Sequence, residues 1–269
     1  MSKRGSSRAR SRAPAALIVL AALGVAFFVI PLIGLLARTP WSDLGELLTG
    51  EVVLDALVIS AIASTAAVAI SAVIGVPLAW MLARVEFAGR SIVRGLVLLP
   101  LVLPPVVGGT ALLFSLGRQG VLGAPLYEST GLVLPFSIWG VIIAVTFVSM
   151  PFLVITVEAA LHNLDTRYEG AAASLGAGRL TVLRRVTLPM IWPSLLAGLV
   201  LTWARAIGEF GATITFAGNL QGETQSLPLA VFVALQSDRD TAVALSLILV
   251  AISLTVLILL RDRWLRPTT

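Results

Sequence analysis

The sequence predicts an all-α, polytopic membrane protein with six transmembrane helices, on three observations. Of its 269 residues, 58% are apolar and 12% charged, and the mean hydropathy of +0.99 is far above that of water-soluble domains of this length. Six uncharged runs of 19 to 29 residues, Ala13–Ala37, Ala56–Ala83, Gly95–Gly117, Ser129–Val157, Val186–Ala204 and Thr241–Leu260, make up more than half the chain. Each approaches or exceeds the roughly 20 residues that a helix needs to cross about 30 Å of hydrocarbon. Finally, the basic residues alternate between sides: with the N-terminus inside, 15 of the 19 fall on inner segments and only Arg38, Arg118, Arg205 and Arg239 on outer ones. That bias is the positive-inside pattern and predicts both termini in the cytoplasm.

The elements follow in order. Residues 1–14 form a basic cytoplasmic tail near anionic lipid, and 15–266 a single transmembrane domain. The first helix, about 15–37, is longer than a signal-peptide core, and Leu35-Leu36-Ala37-Arg38 offers no small-x-small cleavage site. The second, about 56–83, contains Gly75 and Pro77 and should bend there. The third, about 92–117, opens with Leu99-Pro100-Leu101-Val102-Leu103-Pro104-Pro105-Val106-Val107-Gly108-Gly109. Backbone this broken survives at membrane depth only where protein buries it or water wets it. Pro104, Pro105 and Gly108 therefore line a translocation pathway or belong to a kinked packing helix. The fourth helix, about 132–157, carries Pro135 and Pro151 toward its two ends. The fifth, about 188–207, starts at Leu188-Pro189. Residues 224–237 are too short to cross and form an outer-surface or re-entrant helix. The sixth is about 241–260.

Composition excludes most chemistry. There is no cysteine, one lysine (Lys3) and one histidine (His162), which removes P-loop nucleotide binding, thiol nucleophiles, cysteine zinc sites and paired-histidine metal sites. The uncharged runs hold no Asp or Glu for a mid-membrane protease or proton relay. The net charge of +5 is explained by topology, so no nucleic acid partner is implied. His162 is expected on a solvated surface.

The longest inner segment, the coupling loop 158–187, contains Glu169-Gly170-Ala171-Ala172-Ala173-Ser174-Leu175-Gly176, then Val186-Thr187-Leu188-Pro189. Its alanines favour a short helix that Gly176 and Gly178 stop. This resembles the cytoplasmic motif of permease subunits of bacterial binding-protein-dependent ABC importers: Glu-Ala-Ala, three residues, Gly, nine residues, Ile-x-Leu-Pro. Anchored on Gly176, the alanines fall on Ala171 and Ala172 and the final pair on Leu188 and Pro189, with Val186 for Ile. The motif acid falls on Gly170. Glu169 stands one residue earlier, and the spacing leaves open whether it takes the acid's place.

A second stretch carries Arg205-Ala206-Ile207-Gly208-Glu209-Phe210-Gly211-Ala212, then Gly218-Asn219 and Glu223-Thr224-Gln225-Ser226-Leu227-Pro228. It resembles the oxyanion branch of those permeases, molybdate first and sulfate or thiosulfate second. The likeness runs from about residue 50 to the C-terminus. By themselves, Arg205 and Glu209 share a helix face and form either a structural ion pair or a gate, with Gly208 and Gly211 letting backbones bend or approach.

The resemblance implies a type I ABC importer permease fold in the bacterial cytoplasmic (inner) membrane. It also implies a second copy of the chain as homodimer partner, two copies of a cytoplasmic ABC ATPase and an extracytoplasmic oxyanion-binding protein. Such a chain is a transport subunit with no catalytic residue and no cofactor of its own, ATP and Mg being used by the ATPase. The competing class, a passive channel or ion-coupled carrier, meets an energetic obstacle. A doubly charged anion entering against about 100 mV climbs roughly 2.3 kcal/mol per charge, which a pore cannot supply.

Overall fold

The computed structural model describes residues 14–264, with side chains through residue 258. The basic tail expected over 1–14 lies outside the described residues except for Pro14. Two units, Met1–Ser42 and Asp43–Thr269, are described one at a time. The first holds α1 (Ala15–Ala37), which starts after extended Pro14 and carries Pro31 in its interior.

The second unit is helical throughout its described residues. After the short α2 (Leu44–Leu48), α3 (Glu51–Ile70) runs through a π-helical turn, Ser71–Gly75, into α4 (Val76–Arg84). The result is a 34-residue rod, Glu51–Arg84. Pro77 explains the π turn: its ring clashes with the carbonyl four residues back, and a widened turn absorbs the clash without breaking the helix.

The third apolar run does not form one straight helix. It becomes α5 (Arg90–Val102) and α6 (Pro105–Leu116), bent by 120° at the break. Leu103, held extended at ψ 138° by the proline that follows, ends α5, and Pro105 starts α6 at a position that needs no N–H donor.

After α7 (Gly123–Thr130) comes α8 (Ile138–Asn163), displaced from the uncharged run that signals it. Its start is set by Ser137, whose Oγ accepts the Gly140 N–H at 3.3 Å, and by Phe136 at φ 56° just after Pro135. Its end lies beyond Glu158 because Arg94 of α5 pairs with that carboxylate. Charge marks where an uncharged run stops, whereas caps and ion pairs mark where a helix stops.

The expected coupling loop is likewise mostly helical. It holds the end of α8, then α9 (Arg167–Ser174) and α10 (Arg179–Val182), which continues through a second π turn, Leu183–Thr187, into α11 (Leu188–Ile207). Arg179–Ile207 is therefore one 29-residue rod whose π turn accommodates Pro189, and it starts nine residues before the expected 188. Three further helices follow: α12 (Gly211–Phe216), α13 (Leu227–Ser237) and α14 (Arg239–Trp264). The helix α13 falls where the short apolar stretch 224–237 is expected. By length and composition, five helices among the described residues can cross a bilayer, or six if the bent pair is one crossing.

Helix α8 is the axis of the second unit, packed on α3, α4, α11 and α12. At one end Ala79 and Leu82 meet Leu153, Val157, Leu161 and Ile191; midway Ile59, Ala63 and Ala67 meet Val141, Val145 and Ala206. At the other end α13 and α14 close over the start of α3, and Leu227 N–H donates to Ser60 Oγ at 2.7 Å. Small residues set the spacing: a Cβ on Gly198 would stand 2.9 Å from Leu153 Cδ1.

Candidate functional site

Two constellations stand out, one around Arg84 and Thr187 and one where α6 meets α12. The first lies at the arginine-rich end of the unit. Helix α9 stops in a Schellman motif: Gly176 sits at φ +84°, its N–H donates to Ala173 O at 3.0 Å, and Ala177 N–H reaches Ala172 O at 3.1 Å. The turn holds the helix as a free-standing segment with Ala171 exposed, Ala172 half-buried and Leu175 90% exposed. Exposure of so large an apolar side chain beside alanines leaves a surface that another protein can cover.

Away from exposed Ala171, Glu169 turns toward the rods. Its Oε1 accepts the Thr187 hydroxyl at 2.7 Å, and its Oε2 lies 3.2 Å from Arg84 Nε, an ion pair without hydrogen-bond alignment. Arg84 also donates to Leu164 O, at the end of α8, at 3.4 Å. These groups wall a cleft of about 540 Å³ with Trp80, Gly170 and Arg179. At Gly170, where the motif acid falls, a Cβ would meet nothing within 4 Å among the described residues. Leu188 and Pro189 lie just past the π turn and line a separate cleft with Arg184 and Trp192. Arg84 and Thr187, essential to this geometry, were singled out by no sequence motif of their own; Thr187 sat in the motif only as its variable position.

Beside this cluster Arg94 Nε donates to Glu158 Oε1 at 3.0 Å. His162, half-exposed as its position suggests, has Nε2 3.6 Å from the same oxygen.

The second constellation is the meeting of the two broken segments. Gly211 starts α12 against the start of α6: a Cβ there would lie 2.8 Å from Pro105 Cβ. One turn on, a Cβ on Gly109 would lie 2.7 Å from Ala212 O and 2.8 Å from Thr215 Cβ. Thus α6 and α12 lie parallel in backbone contact, with Pro104 as the extended residue before α6. Gly108 packs on Phe147, its Cβ position 3.1 Å from Cε1. Just before, Arg205 and Glu209 form an ion pair, and the carboxylate accepts the Ala212 N–H. The structure therefore brings Pro105, Gly211 and the Arg205–Glu209 pair together. Gly208 is different: it is exposed and closes α11 without a tight contact. Gly109 and Ala212, which make the closest backbone approach, are legible only as small residues in the sequence.

Comparison with known proteins fits this arrangement. Residues 75–268 match the family described as binding-protein-dependent transport system inner membrane component. The chain is 45% identical over 223 residues to the molybdenum transport system permease protein ModB of Mycobacterium tuberculosis, covering 82% of this chain and 83% of that one. Identity to the Escherichia coli K12 ModB is 40%, covering 78% and 92%. Identity to the sulfate transport system permease protein CysT of Salmonella typhimurium is 36%, covering 75% and 72%. In structure, a bacterial ABC transporter involved in alginate import superposes with a TM-score of 0.71 at 21% identity over 94% of this chain and 95% of that one, which is a likeness of fold. The chain belongs to the binding-protein-dependent transport system inner membrane component family, the membrane-spanning permeases of ABC importers.

Proposed function

We propose that this chain imports molybdate as a homodimer, held between two cytoplasmic ABC ATPase subunits and one extracytoplasmic oxyanion-binding protein. The observation that carries the proposal is a free-standing α9, tipped by exposed Leu175, in a chain 45% identical to a molybdenum permease. The basic residues orient it in the inner membrane with both termini and α9 in the cytoplasm. Docking of α9 on the ATPase, through Ala171, Ala172 and Gly176, gives hydrolysis a handle on the rods; ATP and Mg are held by that partner.

The translocation pathway runs past the junction of α6 and α12, where Pro104, Pro105 and Gly211 stand at the helix breaks and Gly108 lies inside α6 against Phe147, with Gly208 at the exposed end of α11. Arg205 and Glu209 sit at this junction as the gate's fixed ion pair. An ion-coupled carrier is disfavoured on chemistry: buried Glu158 and Glu209 are each paired with an arginine, so neither is placed as a free proton carrier. Sulfate import is the second reading, supported by the 36% identity to a sulfate permease.

The test is uptake of labelled molybdate into proteoliposomes holding the permease, its ATPase and its binding protein. Expected is ATP-dependent accumulation that excess sulfate leaves intact. Accumulation of sulfate in place of molybdate would transfer the chain to the second reading. Accumulation by the permease alone would end the importer reading.

A further inference from the structure

We propose that Glu169 is a positioning residue that latches α9 to two membrane rods at once, through Arg84 and Thr187, so that displacement of α9 moves both rods together. The inference rests on the importer reading, in which α9 receives the motion, and adds the connection that carries it onward.

The argument starts from how little else holds α9. It has eight residues and no buried side chain. Its side chains are mostly alanine, glycine and serine, which offer small apolar contact areas. Arg167 pairs with Asp165 just outside the helix, both exposed, and Ser174 bonds within the helix to Gly170 O. Among the described residues, Glu169 is the one α9 side chain with an ion pair or hydrogen bond to a membrane rod.

Its two oxygens are divided between the rods. Oε2 faces Arg84, the last residue of rod Glu51–Arg84, and Oε1 takes the hydroxyl of Thr187 inside the π turn of rod Arg179–Ile207. Arg84 also donates to Leu164 O at the end of α8, so a third helix is tied to the same guanidinium. Shielding favours the pair: the Arg84 and Glu169 side chains are 15% and 19% exposed, well below typical surface ion pairs. Thr187 is buried. A pull on α9 without this latch would be taken up by the connecting residues 164–166 and 175–178, because they lie outside regular helix. With it, the load passes to the ends of two rigid helices. Gly170 leaves the neighbouring space open, which gives the Glu169 carboxylate room between the rods.

The test is the number of anions imported per ATP hydrolysed by the reconstituted complex of permease, ATPase and binding protein. Glu169→Gln is expected to lower that ratio about tenfold while the complex still assembles and hydrolyses ATP. The exchanged pair Arg84→Glu with Glu169→Arg is expected to recover most of the ratio, a rescue that a merely structural role would not predict. Thr187→Val, which keeps the ion pair and removes one donor, covers the case in which Glu169→Gln does not assemble; a ratio lowered about threefold supports the latch. An unchanged ratio in Glu169→Gln or Thr187→Val, or an exchanged pair no better than its single variants, overturns it. A wild-type complex that imports no oxyanion would instead overturn the importer reading, an outcome read before any variant is compared.

Discussion

Arg205 Nη2 lies 2.6 Å from Glu209 Oε2, while the other oxygen of the same carboxylate accepts the Ala212 N–H at 2.8 Å. One buried side chain thus neutralises Arg205 in the last turn of α11 and caps the start of α12, fixing the turn between them. Glu209 is 2% exposed and Arg205 30% exposed, so the carboxylate is the member that cannot turn to water. Arg205→Gln strands it. The expected loss is about 2 kcal/mol, short of the cost for a fully buried pair because the arginine is partly solvated. Adding Glu209→Gln should return more than half, since a neutral amide needs no counter-charge. Thermal unfolding in detergent of the four members of this double-mutant cycle checks it; additive losses would mean the pair is not coupled.

The contact of α6 with α12 predicts an asymmetry among glycines. Gly109→Ala places a methyl group 2.7 Å from a backbone oxygen that cannot swing away, and is expected to destabilise by about 1–3 kcal/mol. Gly95→Ala in α5 meets nothing within 4 Å among the described residues and should be neutral or slightly stabilising. Melting temperatures of the two variants, side by side, test whether the junction is as tight as its geometry.

Asp238 caps α14. Its carboxylate accepts the Thr241 hydroxyl at 2.5 Å and the N–H groups of Asp240 and Thr241. The Thr241 hydroxyl, above all, holds this carboxyl below its usual range. A depressed value means the charged form stabilises the fold above the unfolded-state value, about 3.9, and that this contribution fades as pH falls through the lower folded value. Asp238→Ala should therefore cost about 1 kcal/mol at neutral pH, with the gap to wild type closing below about pH 4. Parallel pH–melting curves decide it, and a gap constant with pH would contradict the cap.

Leu175, at the tip of α9, predicts a partner contact. Leu175→Asp puts a charge on a side chain that touches little of its own chain, so the permease should insert and melt as wild type. Its affinity for the ATPase subunit should fall about tenfold or more, because a docked charge without a partner is costly. Pull-down of the ATPase by the detergent-solubilised variant gives the answer; undiminished capture would remove Leu175 from the docking surface.

Much of this was legible in the amino-acid order. Long runs without charge can satisfy their backbones in a bilayer only as helices, so the all-α class and the short alanine helix come from one-dimensional information, and the orientation proposed above rests on arginine placement alone. The Arg205–Glu209 pair was legible for the same reason, four residues being one helical turn. What only the tertiary structure decided are contacts between residues far apart. The Glu169 carboxylate meets Arg84 and Thr187, and Gly211 meets Pro105, because separate helices happen to end or break at the same level, and no periodicity specifies which ends coincide. Helix limits shifted for a related reason: Arg94 reaches across to Glu158 and lets α8 continue through a charge, a compensation that exists only once α5 and α8 are packed together.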